Sequence, residues 1–133
     1  MDATSGKHVT SVYLSARFGR KAELTGYIEE LREHGINVTS RWLTTPTPTL
    51  NDEAWRWLAV TDKEDVHGAD ALVIFAEKEQ GGGGGRHVEF GMALALDKLV
   101  IVVGEIENLF QRLPEVRVVG DWPSALALLS AGR

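Results

Sequence analysis

Ala69-Asp70-Ala71-Leu72-Val73-Ile74-Phe75-Ala76 is an almost unbroken apolar run, and a few residues later five glycines, Gly81 to Gly85, lead into a helix-like pattern. A half-buried strand alternates apolar and polar residues, whereas a run apolar at consecutive positions suits a strand covered on both faces, as in a parallel sheet. Working outward, the glycines are followed by a predicted helix from about Arg86 to Asp97. A second apolar strand, Leu99-Val100-Ile101-Val102-Val103, then ends at Gly104. Strand, loop, helix and strand in that order form a βαβ unit. Within the helix, Val88, Met92, Ala95 and the following Leu99 are expected to pack on the sheet, and Gly91 with Ala93 to allow a close backbone approach.

The same alternation extends in both directions. Upstream, Val9 to Leu14 reads as a first strand, Ser15 to Arg20 as a polar loop, and Leu24, Ile28 and Leu31 as the apolar stripe of a helix. Gly35 stops that helix, Ile36 to Ser40 reads as a second strand, and Arg41-Trp42-Leu43 with the Thr/Pro segment Thr44 to Thr49 suits a pocket lip. Asn51 or Asp52 is placed to cap a helix carrying Trp55, Leu58 and Ala59 toward Val66, with Trp55 and Trp57 read as structural. Downstream, Val116 to Val119 is a last short strand, and Pro123 opens a final helix with Leu126 and Leu129. The expected architecture is a single-domain, three-layer α/β/α fold over residues 1–133, an open parallel five-stranded sheet of the flavodoxin-like or Rossmann-like kind. Met1 to His8 reads as a short polar tail without the apolar middle of a signal peptide.

Composition narrows the function. With 133 residues, 44% of them hydrophobic, the chain has room for one core. A net charge of −5 argues against polymeric nucleic acid or an anionic membrane as partner, which leaves a small molecule. There is no cysteine, so disulfides and thiolate metal sites are excluded and the cytoplasm is the default compartment. His8, His34, His67 and His87 show no metal-ligand spacing, and neither a metal nor a cofactor is expected. No GxxxxGK[ST] occurs and no GxGxxG follows the first strand, so a P-loop and a dinucleotide site are not supported.

In an open parallel sheet, ligands bind beyond the carboxyl ends of the strands where the strand order reverses. That rule selects the loops Ser15 to Arg20, Arg41 to Thr49, Glu77 to Arg86 and Gly104 to Phe110. Glu89 is read as lying in the first turn of the helix after the glycines, where the dipole would hold its carboxylate ionised as a nucleophile requires. Its alternative is a surface acid complementing that dipole. Ser15, Arg17, Gly19 and Arg20 form a Ser-x-Arg-x-Gly-Arg loop that offers converging donors to a phosphate, or else a solvated loop. Asp65 stands at a helix C-terminus, an unfavourable place for a negative charge, which hints at another use. Trp42 and Phe18 sit in crevice loops, as base-stacking platforms or as ordinary packing aromatics.

Three segments together resemble the nucleoside 2-deoxyribosyltransferase family, including its branch of 2′-deoxynucleoside 5′-monophosphate N-glycosidases. They are Val12 to Arg20, Asp65 to Val73, and Gly85-Arg86-His87-Val88-Glu89-Phe90-Gly91. The resemblance implies an enzyme that cleaves the N-glycosidic bond of a nucleoside or its 5′-monophosphate, with the sugar carried on Glu89 and passed to another base or to water. It places the family's conserved aspartate on Asp65, to bind or protonate the leaving base, and its tyrosine on Tyr13, to orient the Glu89 carboxylate, and gives Ser15, Arg17, Gly19 and Arg20 to a 5′-phosphate. Gly83 and Gly85 would face sugar and phosphate through their amides. Arg86 and His87 would serve phosphate or the leaving-base pocket. It further implies a homodimer or larger assembly in which Asn108 reaches the neighbouring site. The alternative from another class is a non-catalytic nucleotide-binding module that uses the same crevice.

Overall fold

The computed structural model describes residues 8–46, 51–77 and 84–131. Five strands, β1 (Ser11–Ser15), β2 (Asn37–Val38), β3 (Ala71–Phe75), β4 (Leu99–Val103) and β5 (Val116–Val119), form one sheet in the order β2-β1-β3-β4-β5. Every neighbouring pair is parallel, with Ser15 opposite Ile74 across β1 and β3. The chain winds from β1 outward to β2 and then crosses back to β3 on the other side of β1. The strand order therefore reverses between β1 and β3, and the expected ligand crevice lies beyond their carboxyl ends.

Four helices cover the two faces: α1 (Lys21–Glu33), α2 (Asp52–His67), α3 (Gly85–Ala95) and α4 (Trp122–Ser130). Side chains alternate across a strand, so β1 sends Val12 and Leu14 to one layer and Tyr13 to the other. The first layer joins Leu24 and Leu31 of α1 to Trp122, Ala125 and Leu129 of α4. The second joins Tyr13, Leu72, Ile74, Val100 and Val102 to Val66 of α2 and to Phe90 and Ala93 of α3. All five residues of β3 are buried, as its continuous apolar run requires. Asn51 caps α2 by accepting from the Ala54 amide at 2.8 Å, and Asp121 caps α4 through Ser124 at 2.9 Å.

Several expectations need correction. β1 begins and ends later than its β-propensity suggested, so that Ser15 belongs to the strand and not to the loop. Only Asn37 and Val38 of the second predicted strand pair with the sheet, because β2 is an edge strand with one neighbour. On α3 the buried positions are Arg86, Phe90 and Ala93, while Val88 is exposed. A Cβ on Gly91 would meet nothing within 4 Å, so no close approach occurs there. Trp55 and Trp57 are exposed as well. Gly104 does need to be glycine: its φ is +111° and a Cβ would fall 2.9 Å from the Ala76 carbonyl oxygen. Among the described residues no helix is long and apolar enough to cross a membrane.

Candidate active site

Tyr13 and Ser15 stand two residues apart on β1 and so share a face, the one covered by α2 and α3. Both hydroxyls converge on Glu89 of α3. Tyr13 Oη donates to Oε2 at 2.8 Å, and Ser15 Oγ donates to Oε1 at 2.7 Å. Tyr13 and Ser15 are fully buried. The carboxylate is thus clamped through both oxygens at the strand-order reversal, beside the carboxyl end of β1.

Its ionisation differs from the sequence expectation. With α3 starting at Gly85, Glu89 lies in the second turn, and the first turn holds no acid. The helix dipole, which falls off within one turn, does not hold Glu89 ionised. Burial instead pushes its carboxyl up to about 7, opposed by the Ser15 and Tyr13 hydrogen bonds and reinforced by the charge of Asp62. Burial first, and then the charge of Glu89, raises Tyr13 far above the ordinary phenol range, so it remains a donor.

The second acid of the site is Asp62, whose position in the sequence gave no mark of it beyond membership of an acidic helix end. Burial, then repulsion from Asp65, pushes Asp62 up to about 6, against a smaller opposing effect of Arg41. Its Oδ1 is buried and has no hydrogen-bond partner. Asp65, one turn further along α2, is engaged differently. Its carboxylate accepts from the Arg41 backbone amide and Nε, both at 2.9 Å, and its carbonyl accepts from Thr39 Oγ1 at 2.8 Å. Asp65 therefore pins the 3-10 turn Arg41–Leu43 to α2; both carboxylates act electrostatically on Tyr13, and Asp62 acts on Glu89 as well.

The polar side chains of the Ser-x-Arg-x-Gly-Arg loop are already engaged within the chain. Ser15 is committed to Glu89. Arg17 places Nε and Nη2 at 3.3 and 3.2 Å from Oε1 of Glu77, two residues past β3. Arg20 donates to both oxygens of Glu23 at 2.9 and 2.8 Å and approaches Glu77 Oε2 at 3.7 Å. Gly19 leaves room for the Arg17 guanidinium, which occupies the place a Cβ would take. Trp42 donates from Nε1 to the Leu14 carbonyl at 2.9 Å, with its ring 6.2 Å from the exposed Phe18 ring.

Arg86 is turned away from solvent into a buried ion pair with Glu107, whose backbone amide donates to Gln111 Oε1 at 2.8 Å. His87 Nε2 lies 3.6 Å from Glu107, and Asn108 Nδ2 lies 3.4 Å from His87 Nδ1. Asn108 also caps the 3-10 turn Leu109–Arg112 through the Phe110 amide at 3.0 Å. These residues tie the loop after β4 to the start of α3, one helical turn from Glu89. Gly85 opens α3, and Gly83 lies outside the described residues. Among the described residues no group of three or more His, Asp or Glu side chains is arranged to hold a metal ion.

The fold and this site define an open, doubly wound α/β protein with a hydroxyl-clamped carboxylate at its switch point. No protein-family model matches the chain, and no curated protein matches it in sequence. Among solved structures, the chain is similar to a 2-deoxyribosyltransferase from the psychrotolerant bacterium Bacillus psychrosaccharolyticus, at 22% identity and a TM-score of 0.67. The likeness covers 87% of this chain and 90% of that one. It is also similar to the CMP N-glycosidase of Clostridium botulinum, at 18% identity and a TM-score of 0.59, over 90% of this chain and 97% of that one. The chain has the fold of these two enzymes.

Proposed function

We propose that the protein cleaves the N-glycosidic bond of a (2′-deoxy)nucleoside or nucleotide through a glycosyl ester on Glu89, passing the sugar to another base or to water. The observation that carries this reading is the double clamp on Glu89: two buried hydroxyls fix both oxygens of one carboxylate where an open parallel sheet binds its ligands. The shared fold with a deoxyribosyltransferase and an N-glycosidase supports the reaction class.

In the first step a Glu89 oxygen bonds to the anomeric carbon as the carbon–nitrogen bond breaks, and the bonding pair leaves with the base. Tyr13 and Ser15 hold the carboxylate in line. Asp62 delivers a proton to the departing base nitrogen, a role its raised pKa and free oxygen suit, whereas the Asp65 carboxylate is held by Arg41. In the second step water or another base attacks the same carbon, releases Glu89 as carboxylate, and returns its proton to Asp62. Homodimer assembly with Asn108 at the neighbouring site belongs to the same reading, supported by the exposed apolar Leu109 and Phe110 beside it.

Chromatographic assay of free base over a panel of nucleosides and their 5′-monophosphates tests the reading. Release by the wild type and none by Glu89→Ala is expected; full release by Glu89→Ala contradicts it.

A further inference from the structure

The Arg17/Arg20 loop is charged but already balanced. Among the described side chains it joins, two guanidinium groups face two carboxylates, Glu77 and Glu23. The side chains of this loop that could gather on a phosphate are already engaged: Ser15 Oγ on Glu89, Arg17 Nε and Nη2 on Glu77, and Arg20 Nε and Nη2 on Glu23. The neighbouring Lys21 is directed elsewhere, with Nζ on the Thr45 carbonyl at 2.7 Å.

Glu77 is the unusual member. It lies two residues past β3, and Ala76 before it donates its backbone N–H to the Val103 carbonyl at 2.8 Å, so the carboxylate is delivered by the sheet. Its side chain is only 16% exposed, and Oε2 is buried without a hydrogen bond, facing Arg20 at 3.7 Å. Ser15 and Ile74 are register partners, so Glu77 leaves the carboxyl end of the strand next to β1, at the point where the strand order reverses. A carboxylate only accepts hydrogen bonds. It can take one from a sugar hydroxyl, whereas a phosphate dianion has no proton to give at neutral pH and is repelled.

We propose that Glu77 sets the substrate class, so that the site selects nucleosides with a free 5′-hydroxyl over their 5′-monophosphates. This inference rests on the N-glycosidase reading of the site. Glu77 acts by occupying Arg17 and Arg20 and by placing a negative charge where a phosphate would otherwise be drawn, a selection made as much by repulsion as by attraction.

The test compares a matched 2′-deoxynucleoside and its 5′-monophosphate in the wild type and in Glu77→Gln. The wild type is expected to favour the nucleoside in kcat/KM by at least tenfold, and Glu77→Gln to move that ratio toward the monophosphate by at least tenfold. A smaller movement of the ratio overturns the inference. So does a wild type without the tenfold preference, and that comparison requires no variant to fold. Should Glu77→Gln fail to fold by circular dichroism, Glu77→Ser replaces it under the same criteria. If the wild type releases base from neither member, across a panel of bases, the reading of the site falls and takes this inference with it. Release from both with the monophosphate preferred overturns the inference alone.

Discussion

Two charged clusters lie side by side at the carboxyl end of the sheet, and they are built on opposite principles. Around Arg17 and Arg20, each guanidinium meets a carboxylate. Around Glu89 no cation is within ion-pairing distance among the described residues; two hydroxyls clamp it instead, and the half-buried Asp62 acts on it through its charge. The first arrangement neutralises charge and leaves little drive to bind more. The second keeps acid protons near neutrality, where they are useful for chemistry. Asp65 shows that the difference is one of partners: three residues from Asp62 on the same helix, it has Arg41 on its carboxylate.

The largest expected effect comes from removing the proposed nucleophile. Glu89→Gln should lower base release by a factor on the order of a thousand or more in steady-state assays. Retention of a tenth of the activity would show that the clamped carboxylate is not the reacting group. Replacing Asp62 by Asn should cost about a hundredfold in kcat, as loss of a general acid does. Asp65→Asn should act mainly on stability, by about 1–2 kcal/mol in urea unfolding, because a carboxylate that accepts from Arg41 is lost. If the two variants exchange these effects, the assignment of the acid reverts to Asp65.

The pH dependence sharpens the comparison further. The proposed mechanism uses Glu89 ionised and Asp62 protonated, which is the minority pairing of forms for groups that titrate at about 7 and about 6. A narrow bell in kcat/KM with limbs near those values is expected for coupled groups. Tyr13→Phe removes a hydrogen bond that lowers the Glu89 pKa, so the Glu89 limb should move to higher pH while kcat falls about tenfold.

The smallest effect is on stability. Glu89 binds its proton more tightly folded, at about 7, than at its ordinary value of 4.5. The stability associated with the protonated form is lost as pH rises from about 4.5 through 7. Glu89→Gln lacks this loss, so between pH 4.5 and 8 it should gain about 3 kcal/mol on the wild type in denaturant unfolding. A constant difference across that range would mean that Glu89 is not buried as described.

Much of the framework was legible because its cause is local. The consecutive apolar residues of β3 and β4, the cap Asn51, and the helix after the glycines follow from periodicity and short-range hydrogen bonds. Glu89 and Tyr13 could be singled out through the resemblance. What could not be read required knowing which elements touch. One residue of extra strand turns Ser15 from a loop donor into a clamp on Glu89. Asp62 and Asp65 lie on neighbouring turns of one helix, and only Arg41, brought in by the turn after β2, distinguishes them. Glu77 cancels Arg17 only because β1 and β3 are adjacent. On α3, two apolar stripes compete, and packing selects Phe90 and Ala93 over Val88.

The most direct test of the central claim is intact-protein and peptide mass analysis of the wild type quenched in acid during turnover of a 2′-deoxynucleoside. The account predicts a sugar adduct, one sugar less one water, located on the peptide residue Glu89 and absent from Glu89→Gln. Continued base release with the adduct on another residue, or with an adduct that persists in Glu89→Gln, would contradict it.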